Sequence, residues 1–153
     1  MAARSRSGLK PQPAPSPEEE AYLELLRTTD LLSRGLARVL KDEDLSSTQY
    51  NVLRILRGQR EGLPCGEIAQ RMITRDPDIT RLLDRLENRG LVSRSRHEQD
   101  RRTVLTRITS AGLKVLARLD EPVRAVHDQQ LGHVGGWRLK KLSNLLRCCR
   151  RAS

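Results

Sequence analysis

A mainly helical chain carrying one small β-hairpin is predicted by three features of the sequence. Apolar residues recur three and four apart through most of the 153 residues. Serine, threonine or aspartate stands ahead of these runs, with glycine behind several of them. The period shortens only after Gly90, in LVSRSR and RTVLTRI, arginine-rich or β-branched segments that flank a turn, HEQDR.

Each element follows from local chemistry. Residues 1–15 carry Arg4, Arg6 and Lys10 among Pro11, Pro13 and Pro15, too little apolar surface to offset chain entropy, and are predicted to be a disordered basic arm. Ser16, Pro17 and Glu19 then fit the cap, first and third positions of a helix. Its stripe of Tyr22, Leu25, Leu26, Leu32, Leu36, Val39 and Leu40 runs out near Lys41. Ser46 and Gln49 form an S-x-x-Q capping box for a second helix, with Tyr50, Leu53 and Leu56 on one face and Gly58 as its C′ stop. A short third helix covers about Pro64 to Met72.

The fourth helix is predicted from Asp76 as N-cap, Pro77 at the first helical position, Asp78 in the first turn and a stop at Gly90. Ile79, Leu82, Leu83 and Leu86 mark its inner face, so at about 100° per residue Thr80, Arg81, Asp84, Arg85 and Asn88 fall on the other side. After the hairpin, Thr109 caps a long helix striped by Leu113, Leu116, Leu119, Val123, Val126 and Leu131, where Pro122 predicts a kink or a local break. Gly135 and Gly136 precede a last helix bearing Trp137, Leu139, Leu142, Leu145 and Leu146.

Charge narrows the partners. Lysine and arginine number 29 against 19 acids, a net +10, which points to a polyanion, either nucleic acid or an acidic membrane surface. Between residues 89 and 107, six arginines face two acids, Glu98 and Asp100. No apolar run approaches the roughly 20 residues of a membrane span and the N-terminus lacks the apolar region of a secretory signal, so a cytoplasmic protein with no membrane partner is expected. Three cysteines without C-x-x-C spacing are expected to be reduced thiols, Cys65 packed and Cys148 and Cys149 without a role. His127 and His133 lack metal-ligand spacing, and no G-x-S-x-G or phosphate loop is present, so neither metal, cofactor nor catalysis is expected.

Two short helices joined by a tight turn, the second with a polar outer face, followed at once by a basic hairpin, have the organisation of a winged helix-turn-helix. The second helix of such a pair enters a DNA major groove while the hairpin, or wing, follows phosphates or a minor groove. The stretch RLLDRLENRGLVSRSRHEQDRRTVLTRITSAG also resembles the MarR family of bacterial transcription regulators, through Leu86, Glu87, Gly90, Leu91, Val92, Arg94, Asp100, Arg101, Arg102, Thr109 and Gly112 in order. LSSTQYNVLRIL is similar to that family's second helix.

The resemblance implies a homodimer on double-stranded DNA at a pseudo-palindromic operator, acting as a repressor, with a small-molecule effector of unspecified identity. It implies one domain over residues 16–153, with a winged helix-turn-helix lobe at about 45–108 and dimerisation helices at about 16–41 and 109–150. The periodicity agrees, since those helices carry more apolar surface than so small a lobe covers. Candidate DNA contacts are Asp78, Thr80, Arg81, Asp84 and Arg85 on the recognition helix. On the wing they are Arg94, Arg96, Asp100, Arg101 and Arg102, with Asp100 holding one guanidinium in place by ion pairing. The alternative is a winged-helix module that binds nucleic acid without sequence preference or binds proteins.

Overall fold

The computed structural model describes residues 14–96 and 102–151. In chain order the elements are α1 (Pro17–Lys41), α2 (Ser47–Arg57), β1 (Leu63–Pro64), α3 (Cys65–Arg71), α4 (Ile79–Asn88), β2 (Val92–Arg96), β3 (Val104–Ile108), α5 (Ser110–Leu131), a 3₁₀ turn (Gly132–Val134) and α6 (Gly136–Arg151). The chain divides into two compact units, one ending at Leu31 and the other running from Leu32. The basic arm predicted for residues 1–15 lies almost wholly outside the described residues.

The second unit is a winged helix-turn-helix. Its core gathers Val52, Leu53 and Leu56 of α2, Ile68 of α3, Leu83 and Leu86 of α4, Val92 of β2 and Leu116 of α5, all at most 2% exposed. The hairpin is joined by β1, giving an antiparallel sheet of order β1-β3-β2, with Leu63 opposite Thr106 and Arg94 also opposite Thr106 from the other side. That short third strand was not foreseen, because two residues containing a proline carry no alternation to detect. Among the described residues, no helix is long and apolar enough to cross a membrane.

The caps are mostly those the sequence called for. Ser46 accepts from Gln49 N–H at 3.1 Å while the Gln49 side chain accepts from Ser46 N–H at 2.9 Å. Gly90 takes a left-handed conformation, φ +67, and sends its N–H to Glu87 O and that of Leu91 to Leu86 O, a Schellman closure of α4. Three details differ. Gly58 ends α2 as the C-cap itself with φ −82, so its freedom to adopt positive φ is not used. Asp78, not Asp76, caps α4, and Pro77 lies before the helix; Asp76 instead accepts from Asp78 N–H at 2.9 Å, a local turn that competes with starting the helix earlier. The helix α5 runs unbroken through Pro122, so of the two outcomes expected there a break does not occur.

The apolar stripes of the outer helices are only partly covered. In the first unit Tyr22, Leu25, Leu26 and Leu31 are exposed, and α6 buries no residue at all, with Trp137 62% and Leu145 63% accessible.

One crowded point is Gly112 in the first turn of α5, where an added Cβ would strike Leu91 O and stand 2.7 Å from Ile108 Cγ1. Gly112→Ala is therefore expected to cost about 1–3 kcal/mol by overpacking, read as a lowered urea midpoint. Gly66→Ala, in α3 with nothing within 4 Å of its Cβ, should raise stability by up to about 1 kcal/mol. Equal shifts for the two would contradict the packing described.

Candidate nucleic-acid interface

The outer face of α4 is set by its start. Asp78 accepts from Arg81 N–H at 3.2 Å as the cap, and its second oxygen ion-pairs with Arg81 Nε at 3.0 Å. Arg81 is thus partnered, although its side chain stays 77% exposed. Leu82, Leu83 and Leu86 are buried beneath, and Thr80, Arg81, Arg85 and Asn88 are exposed, as the 100° rotation requires.

The hairpin is fastened to this helix by Arg94. Its backbone N–H donates to Glu87 Oε1 at 3.0 Å, its Nε to Glu87 Oε2 at 2.8 Å, and its Nη2 to both Glu87 Oε2 at 2.6 Å and Asp84 Oδ1 at 2.5 Å. Asp84 and Arg94, predicted as separate DNA contacts on different elements, are brought together and face each other. Hydrogen bonding from Arg94 holds the Glu87 carboxyl below its ordinary range, and Glu87 in turn raises the guanidinium further.

Other hairpin arginines are differently placed. Arg107 donates to the neutral Ser95 hydroxyl at 2.6 Å across the strands, and Arg96 and Arg102 are exposed. Asp100 and Arg101, with the rest of residues 97–101, lie outside the described residues.

A second set of contacts ties α4 to the body of the lobe. Arg89, the C-cap of α4, donates to Asp44 O at 2.5 Å and Glu43 O at 2.8 Å, in a turn where Asp44 adopts φ +51. Glu43 also accepts Arg118 of α5 through both carboxylate oxygens, at 2.6 and 2.8 Å, which depresses its pKa. Arg57 of α2 pairs likewise with both oxygens of Asp120 on α5. Beside this turn a cleft of about 610 Å³ opens, lined by Lys41 of α1, Ser46 and Gln49 at the start of α2, and Arg85 and Arg89. Arg85 therefore borders this cleft as well as the outer face of α4.

The sequence did not single out Glu87 or Arg89 as site residues. Glu87 had a signal, its seven-residue spacing to Arg94 across a glycine stop, whereas Arg89 bonds only backbone carbonyls 45 residues away and leaves no trace in a pattern. Cys65 is half-buried against the core, as a packed thiol.

The model of the MarR family matches residues 45–104. A solved MarR transcription factor from Planctomyces limnophilus is 43% identical, over 89% of this chain and 99% of that one, with a TM-score of 0.68. YfiV of Bacillus subtilis (strain 168), an uncharacterized HTH-type transcriptional regulator, is 36% identical over 67% of this chain, which spans 65% of YfiV's length. CouR from Rhodococcus jostii RHA1, solved bound to p-coumaroyl-CoA, is 24% identical over 88% of this chain and 94% of its own, with a TM-score of 0.77.

The two arginine-held carboxylates give a pH signature. Both Glu43 and Glu87 titrate below the ordinary 4.5 when folded, so the unfolded chain binds more protons there. Their contribution is complete above that value and is lost as pH falls through the folded pKa. Unfolding free energy measured against pH should thus fall less steeply below 4.5 in the Glu43→Gln, Glu87→Gln double variant than in the parent. Parallel acid limbs would mean that neither pair stabilises the fold.

Proposed function

This chain belongs to the MarR family, and from that premise we propose that it acts as a ligand-responsive repressor, a homodimer bound to a pseudo-palindromic operator in double-stranded DNA. The observation that carries the proposal is the exposed Thr80 and Arg81 face of α4, fastened to a hairpin that carries arginines of its own. On this view α4 enters the major groove, where Arg81 reads a base edge, and Arg96, Arg101 and Arg102 follow phosphates or the minor groove. Asp78 serves the helix as its cap and steers Arg81.

The homodimer is supported by apolar surface that one chain leaves uncovered on α6, and a second copy supplies a matching stripe by symmetry. Residues 16–41 and 109–150 would form that dimerisation region, with the lobe at 45–108, in one cytoplasmic domain without catalytic activity. The effector is assigned to the cleft beside Lys41, Arg85 and Arg89. A ligand there touches α1, α2 and α4 together, so one that favours a different spacing of the two recognition helices draws the population away from DNA.

Selection from a random duplex library at about 0.15 M salt is expected to recover a palindrome with half-sites about one helical turn apart. Salt-sensitive binding without any motif would favour the non-specific module instead. On the recovered operator, Arg102→Ala should weaken all sequences alike and flatten the salt slope by about one unit, whereas Arg81→Ala should relax a single position at about 1–3 kcal/mol.

A further inference from the structure

The hairpin's arginines are not equivalent, and the difference assigns Arg94 a role that its place in a basic wing conceals. We infer that Arg94 is a positioning residue: it sets the angle of the wing on the recognition helix by gripping Glu87 and Asp84, and makes no contact with DNA itself. The inference rests on the DNA-binding proposal above and refines it.

Three observations converge. Four bonds donated by Arg94, through its backbone N–H, Nε and Nη2, end on carboxylates of α4, at 2.5–3.0 Å. Its side chain is 26% exposed, against 77% for Arg81. It also sits mid-strand, opposite Thr106, which is 1% exposed, whereas Arg96 ends the strand and reaches solvent. Nε and Nη2 are committed to two carboxylates, so a phosphate could take at most Nη1, and releasing the others would expose two negative charges beside a polyanion.

The geometry also explains why arginine is needed. Nε and Nη2 lie in one plane and converge on Glu87 Oε2, while Nη2 also donates to Asp84 Oδ1, so a single side chain holds two carboxylates of one helix at once. A lysine ammonium keeps the charge but is a point donor without that fork. The pair Asp84 and Glu87, three apart, presents its carboxylates on one side of α4, and Arg94 answers both from β2. On the facing helix α3 the charged groups nearest in sequence to its end, Glu67 and Arg71, pair with each other at 3.3 Å.

The test uses the full chain and the operator recovered above. Arg94→Lys should weaken operator binding roughly tenfold, nearly as much as Arg94→Ala, because the charge survives and the fork does not. Arg102→Ala should lose most of its effect in the Arg94→Lys background, since a wing already adrift has little further to lose. A direct phosphate contact predicts the opposite: Arg94→Lys within about twofold of the parent, and multiplicative losses in the double variant. Either of those two results overturns the inference. Matching urea midpoints for the parent and Arg94→Lys would exclude general unfolding as the cause.

The grip is also visible without DNA. In the free protein the Arg94 Nε–H resonance should be protected from exchange and should move when Glu87→Gln is introduced. A protected resonance in a protein that selects no DNA sequence would sink the regulator proposal and leave the grip standing. An unprotected one would sink the grip even where operator selection succeeds.

Discussion

One threonine hydroxyl fixes the junction on which α4 and the hairpin are built. Thr109 Oγ1 donates to Gly90 O at 2.7 Å and accepts from Gly112 N–H at 3.1 Å, while Thr109 N–H donates to Leu91 O at 3.1 Å. The end of α4, the root of β2, the end of β3 and the first turn of α5 therefore meet within a few ångströms. Gly90 must adopt positive φ for the chain to leave α4 toward this point, and Gly112 must lack a Cβ for α5 to approach it. Because the hairpin departs and returns at the same place, its direction is decided by whatever holds its sides.

Those sides are held by charge as well as by the core. Isolated surface pairs are weak, and Arg27 with Glu24 or Arg124 with Glu121 belong to that class. Arg94 with Glu87 and Asp84, and Arg118 with Glu43, are different in kind, since each joins two separate elements and is multiply bonded. Glu43 is the more telling, because its carboxylate takes Arg118 of α5 while its backbone carbonyl takes Arg89 at the end of α4. A displacement of α5 is thus felt at the C-terminal end of α4 through one residue in a turn. The Arg57 pair with Asp120 adds a second tie between α5 and α2.

Much of this was legible in the sequence, and the part that was not has a physical reason. Capping residues announce themselves by type and spacing, so Ser46 was found from its S-x-x-Q spacing to Gln49, and the Thr109 cap and the Gly90 stop from residue type ahead of and behind an apolar run. Asp76 and Asp78 show the limit of that method: either can cap, and the turn in which Asp76 accepts from Asp78 N–H leaves the cap to Asp78. Rotation about α4 separated the buried leucines from Thr80 and Arg81. It did not reveal that Asp84 turns toward Arg94, because a pairing between elements depends on the register of the hairpin against the helix. The candidates Asp100 and Arg101 lie outside the described residues.

The sheet itself has a consequence for how copies of this protein can meet. Its two edges are β1 and β2. The first is two residues long and includes Pro64, which has no N–H to offer an incoming strand, and the second carries Arg94 and Arg96. Both edges are poor templates for strand addition. Association by runaway sheet growth, the usual hazard of a small exposed β-sheet, is thereby discouraged.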